Sequence, residues 1–256
     1  MECPQCGRSI RPVYLEFLGS YLRPACFCQV ETYEQELRDR EEQRKAQWQE
    51  QLFSNSGLGP RFSRCTLENW RQRPGTAKAY TAAREYAGKL EENLRAGEGL
   101  LLIGEPGNGK SHLLAAIANT ALDRGHAVVF QRVPHLLASL RATYNGGVVT
   151  EQQIMSTLTR AELLVLDDAG SEKWTEWTEP TLYTIIDERY TRQKALLVST
   201  NATFVELEQK IGPRTMDRLL EMCIVAENKG SSCRKKRDEP PTSKPATAAA
   251  APAAPS

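Results

Sequence analysis

Gly104-Glu105-Pro106-Gly107-Asn108-Gly109-Lys110-Ser111 fits the pattern G-x-x-x-x-G-K-[ST] at every fixed position. With average residue usage, such a match arises by accident in about one chain in a hundred of this length, so the flanks must decide. They do. Leu100-Leu101-Leu102-Ile103 runs into the glycines as a buried strand, and residues 111–123 read as a helix. A strand that turns through glycines into a helix points backbone N–H groups inward, and the helix N-terminus adds partial positive charge. That is a cradle for nucleotide phosphates. Gly104, Glu105, Pro106, Gly107, Asn108 and Gly109 would wrap the phosphates, and His112 would continue the lining on the first helical turn. Lys110 would reach the β- and γ-phosphates of ATP, and the Ser111 hydroxyl would ligate Mg2+.

Downstream the apolar run Leu163-Leu164-Val165-Leu166 delivers Asp167 and Asp168 at a strand end. In a phosphate-loop ATPase, one such carboxylate holds magnesium and its neighbour polarises the attacking water. Asp167 takes the first role here and Asp168 the second. A further strand over residues 195–199 leads to Asn201, whose amide either positions that water beside the γ-phosphate or caps the strand end. Arg214 and Arg218 stand four apart on one helical face. Either reaches a neighbouring subunit's γ-phosphate as an arginine finger, or pairs locally with Asp217 or Glu221.

Between these motifs strands and helices alternate, with a strand at 127–130 and helices near 134–144 and 176–193. That order builds an α/β fold, a parallel sheet with helices on both faces. The chain divides by composition into residues 1–30, rich in Cys, Pro and Gly; a charged helical linker, 31–56; the core, 57–237; and a Pro/Ala/Ser/Thr tail, 238–256, that reads as disordered. The linker is a spacer arm or a partner-binding helix. A net charge of +1 excludes a surface coated for nucleic acid or membrane, so any DNA contact is local. No apolar run approaches a membrane span. Seven cysteines beside a nucleotide site indicate a reducing compartment, the cytoplasm. Cys3-Pro-Gln-Cys6 and Cys26-Phe-Cys28, separated by a loop, have the arrangement of a four-thiolate Zn2+ site, with a redox dithiol as the rival reading. Cys65, Cys223 and Cys233 lie apart and read as ordinary free thiols.

Taken in order, Gly-Glu-Pro-Gly-Asn-Gly-Lys-Ser, Leu-Asp-Asp-Ala-Gly, Ser-Thr-Asn and Met-Asp-Arg-Leu-Leu resemble the AAA+ bacterial replicative-helicase loaders of the DnaC and DnaI type. Glu176-Trp177-Thr178, Leu182-Tyr183, Asp187-Glu188-Arg189-Tyr190 and the stretch 57–62 extend the likeness, which spans roughly residues 57–237. The resemblance implies an AAA+ P-loop ATPase core preceded by a zinc-binding module and a charged helix. It puts Asn201 at the first sensor, Arg218 at the arginine finger and Arg234 at a second sensor, although Cys233 stands where the family has tyrosine.

The resemblance further implies a replicative DNA helicase and single-stranded DNA as partners, with self-association through the ATP site. Arg132, Arg141, Tyr144, Lys173 and Trp174 are candidate DNA contacts, because cations mixed with aromatics suit phosphate contact and base stacking. Two other functions fit the same motifs. One is a transposition helper of the similar IstB type acting on duplex DNA. The other is an adapter that binds nucleotide without turnover. Asp168 stands where glutamate would hold water more closely, so hydrolysis is expected to be slow.

Overall fold

A computed structural model describes residues 2–144, 150–171, 175 and 177–233, though not every side chain of the first long helix. The chain forms two units, residues 1–54 and 55–256. In the first, β1 (Val13–Leu15) and β2 (Ser20–Leu22) pair antiparallel around a short 3-10 turn, and α1 (Phe27–Asn55) follows. The charged stretch expected to begin at 31 is thus part of one helix that starts at Phe27 and carries Cys28 in its first turn. The composition changes at residue 30, but the backbone does not.

The second unit opens with α2 (Gly59–Phe62), α3 (Ala77–Gly88) and α4 (Leu90–Ala96). Then come β3 (Gly99–Ile103), α5 (Lys110–Asp123), β4 (Val128–Arg132), α6 (Val133–Thr143), α7 (Glu151–Arg160) and β5 (Leu163–Ala169). It closes with α8 (Thr178–Thr191), β6 (Ala195–Thr200), α9 (Phe204–Ile211), α10 (Pro213–Met222) and β7 (Cys223–Glu227). The five strands β3–β7 form a parallel sheet in the order β4-β5-β6-β3-β7. Central strands of such a sheet are covered on both faces, which is why β3 and β6 are buried at every residue. Leu101, Ile103, Leu164, Leu166, Leu196 and Val198 pack with side chains of α6–α10 in one core. The alternate residues of the same strands face the other way, where α3 and α5 lie against the sheet.

Sheet order is the part of the fold that makes the site. The strand bearing the phosphate loop, β3, does not touch the strand bearing the two acids, β5; β6 lies between them. Whatever follows β6 is therefore held between loop and acids, and that residue is Asn201. The C-terminal strand β7, absent from the sequence expectations, pairs with the outer side of β3 and returns the chain to the loop. Among the described residues no helix is long and apolar enough to cross a membrane.

Candidate nucleotide site and metal centre

Lys110 begins α5 and is buried. Its ammonium donates to Gly104 O at 2.6 Å, Glu105 O at 3.0 Å, Asn108 Oδ1 at 3.3 Å and Asn201 Oδ1 at 2.8 Å. Burial pulls its pKa down to about 8, against the opposing pull of Asp167, Asp168 and Glu105. A cation so poorly solvated gains by meeting phosphate oxygens. Asn201 also donates through Nδ2 to Asp168, so one amide joins the loop lysine to the second acid.

The acids sit on a β-bulge. Leu166 pairs with Val198 but Ala169 pairs with Thr200, so β5 spends one residue more than β6. The extra residue puts Asp168 at φ 62, a left-handed conformation that costs a non-glycine residue about 1 kcal/mol. Asp167 is buried and Asp168 is turned toward Arg132, whose guanidinium lies 3.4 Å from its carboxylate.

The loop itself is held from two directions. Gly109, at φ 101, presents its bare Cα to Trp70, and a β-carbon there would come within 2.4 Å of the indole ring. The indole stands edge-on to His112, whose Nε2 lies 3.0 Å from Thr66 O. From the other side, residues 228–233 form a strap. Asn108 donates to Asn228 O at 2.7 Å, Asn228 donates back to Asn108 O at 3.3 Å, and the Cys233 N–H meets Gly107 O at 2.9 Å. Arg73 links the two, donating to Asn108 O at 2.8 Å and to Ser231 O at 2.6 Å. Sequence reading missed Trp70, Arg73 and Asn228, because no motif marks residues that reach the loop from distant parts of the chain.

Lys110, Ser111, Asp167, Asp168 and Asn201 thus lie together at the C-terminal ends of three neighbouring strands. Arg218 does not join them. It sits on α10, 3.2 Å from Asp187, 3.3 Å from Glu221 and over the Tyr190 ring at 4.2 Å. Arg214 lies one turn before it on the same helix. Of the candidate DNA contacts, Arg141 stacks on Trp177 at 4.9 Å and donates to Thr175, and the Trp177 indole donates to the Tyr144 hydroxyl at 3.1 Å. Lys173, Trp174, Glu176 and Arg234 lie outside the described residues.

In the first unit, the sulfur atoms of Cys3, Cys6, Cys26 and Cys28 all lie within 4.8 Å of one another, with Cys3–Cys28 at 3.6 Å and Cys6–Cys26 at 3.5 Å. Tetrahedral zinc with bonds of about 2.3 Å spaces its thiolates about 3.8 Å apart, so the four sulfurs fit the ion. Gly7, at φ 70, makes the tight turn after the first pair. Backbone N–H groups of Cys6 and Gln5 pull the Cys3 thiol down, whereas the neighbouring Cys6 thiol and burial push Cys28 up, so the four sulfurs do not all ionise readily without a cation among them. Among the described residues of this unit, Cys3, Ile10 and Cys26 form a small core with Cys28 packed against it. Such a core cannot carry a fold unaided. Cys65 and Cys223 are buried free thiols and Cys233 is exposed.

A family model described as IstB-like ATP binding protein matches residues 89–240. The replicative helicase loader DnaC of Escherichia coli (strain K12) is 29% identical over 180 residues, covering 70% of this chain and 72% of that protein. The crystal structure of the DnaC helicase loader superposes with a TM-score of 0.60 at 24% identity, over 67% of this chain and 100% of that one. That of DnaI gives 0.59 at 23% identity, over 67% of this chain and 94% of that one. These two likenesses show the fold.

Proposed function

The chain belongs to the IstB-like ATP-binding protein family, and on that footing we propose that it is an ATPase that loads a replicative DNA helicase onto single-stranded DNA. The observation that carries this reading is a phosphate loop with two strand-end acids and Asn201, together with a separate thiol-bearing unit, in a chain related over 70% of its length to proteins named as replicative helicase loaders.

In this reading, ATP enters with its phosphates over the Gly104–Ser111 loop and Lys110 exchanges Asn201 for phosphate oxygens. Magnesium, held by Ser111 and Asp167, would screen the phosphate charge. Release of Asn201 from Lys110 frees its amide to orient a water, and Asp168 accepts that water's proton. Arg218, held by the partly exposed carboxylates of Asp187 and Glu221 and by the Tyr190 ring, would leave these partners to reach a neighbouring subunit's γ-phosphate. Slow turnover follows from Asp168, whose carboxylate stands one methylene short of where glutamate would hold the water. Asp168→Glu is expected to raise kcat several-fold in a phosphate-release assay; unchanged turnover would remove this explanation.

Zinc would fold the first unit, and that unit would hold the helicase. It carries Phe17 at 81% exposure and Tyr21 at 71%, with Tyr14, Phe27 and Tyr33 also exposed. A module with so small a core gains nothing from bare aromatics, whereas partner surfaces are made of them. Size exclusion with light scattering on the chain mixed with the replicative helicase of the same source tests this. We expect a complex with the native chain, weakened at least tenfold by Phe17→Asp with Tyr21→Asp. No complex with the native chain in ATP, ADP or no nucleotide would favour the second reading, a transposition helper of the IstB type acting on duplex DNA, toward which the IstB-like family match leans.

A further inference from the structure

The β-bulge that positions the two acids leaves an accounting problem. Where β5 spends an extra residue, the Asp168 N–H falls out of the ladder with β6, and a buried amide without a partner is costly. Ser199, on β6 opposite the bulge and 1% exposed, resolves it. Its Oγ accepts from the Asp168 N–H at 3.0 Å. The same oxygen donates its proton to Asp167 Oδ1 at 2.6 Å. One hydroxyl therefore fixes the backbone of one acid and the carboxylate rotation of the other. Alanine in its place would do neither, and among the described residues no other side chain bonds to either of those two atoms.

We infer that Ser199 is a positioning residue for hydrolysis, setting the Asp167 carboxylate toward a divalent cation and holding the strained Asp168 backbone in place. This rests on the ATPase reading above and deepens it. The neighbour Thr200 does not share the task, since its hydroxyl donates to Ala169 O at 2.7 Å and accepts from Ala202 N–H at 3.0 Å. Asn201 acts on the Asp168 side chain and on Lys110, leaving Asp167 to Ser199.

A hydroxyl that orients a metal-binding carboxylate affects metal dependence by about ten- to a hundredfold when removed. Nucleotide binding without metal uses the loop and Lys110, which Ser199 does not touch. The experiment is therefore a magnesium titration of fluorescent ATP-analogue binding by the full chain, with kcat and KM for ATP measured beside it. For Ser199→Ala we expect the magnesium needed for half-maximal binding to rise about tenfold, kcat to fall about tenfold, and metal-free affinity to stay within about twofold. Ser199→Thr, which keeps the hydroxyl, is expected to restore the native magnesium dependence. Unchanged magnesium dependence in Ser199→Ala would overturn the inference. So would an equal loss of metal-free affinity, or a Ser199→Thr chain with native Tm that stays as impaired as Ser199→Ala. If the native chain shows no turnover that depends on Lys110, the ATPase reading fails instead, and the binding titration still decides the role of Ser199.

Discussion

Lys110→Met is expected to abolish ATP turnover, lowering kcat/KM by at least about a thousandfold, while the protein remains folded. The first half follows from the four oxygens that share the three N–H groups of the ammonium and aim it along the loop and toward Asn201. Methionine fills the same space without the charge that phosphate requires. The second half follows from the depressed pKa. Burial pulls the Lys110 ammonium down to about 8 in the fold against 10.5 in the unfolded chain, so the folded protein carries a penalty while the group is charged. Because the unfolded state binds the extra proton, stability rises as pH climbs from about 8 toward 10.5, and the penalty is full below 8. Lys110→Met removes both the penalty and that slope, so its unfolding midpoint at pH 7 should not fall below the native one. Turnover that survives the substitution would sink the ATPase reading. A midpoint well below native would show that the hydrogen bonds outweigh the desolvation.

Arg189→Met is expected to do the reverse, costing stability without touching the nucleotide. Arg189 on α8 is completely buried, and among the described residues no carboxylate pairs with it. Its guanidinium instead donates to four backbone carbonyls: Leu158 at 2.6 Å, Ala161 at 3.1 Å, Glu162 at 3.3 Å and Ala195 at 2.5 Å. These gather the end of α7, the turn into β5 and the start of β6 onto one side chain. Burial pulls its pKa down to about 9, still high enough to stay charged at neutral pH. Removing the guanidinium strands four buried acceptors at once, a loss of about 4 kcal/mol by urea unfolding. Arg189→Lys, with three donors for four carbonyls, should fall between. A Met variant as stable as the native chain would mean that water replaces the guanidinium without cost.

These two residues show what a sequence reveals and what it hides. Lys110 was legible because phosphate chemistry demands a fixed spacing of glycines, lysine and serine within eight consecutive residues. The acids and Asn201 were legible because strand ends supply them in a recognisable order. The four cysteines were legible for the same kind of reason, since metal geometry constrains short spacings. Arg189 was visible only as a member of a family likeness, because its partners are carbonyls, and every residue has one. Strand β7 escaped notice because Ile224 and Val225 are consecutive and both partly open to solvent, which breaks the alternation that marks a half-buried strand. The start of α1 at Phe27 was hidden by a change of composition that falls inside the helix.

The strap from Asn228 to Cys233 has a consequence for the order in which the molecule becomes competent. Asn108 and Asn228 are bonded across 120 residues, and Arg73 and Ser231 across 158. Contacts this distant along the chain raise its contact order and form only after long loops have closed. During synthesis, the glycines and lysine leave the ribosome more than a hundred residues before the segment that clamps them. A truncated or half-made chain therefore carries the full phosphate-loop signature without the clamp that shapes it. Tight ATP binding would then report that synthesis has passed Cys233.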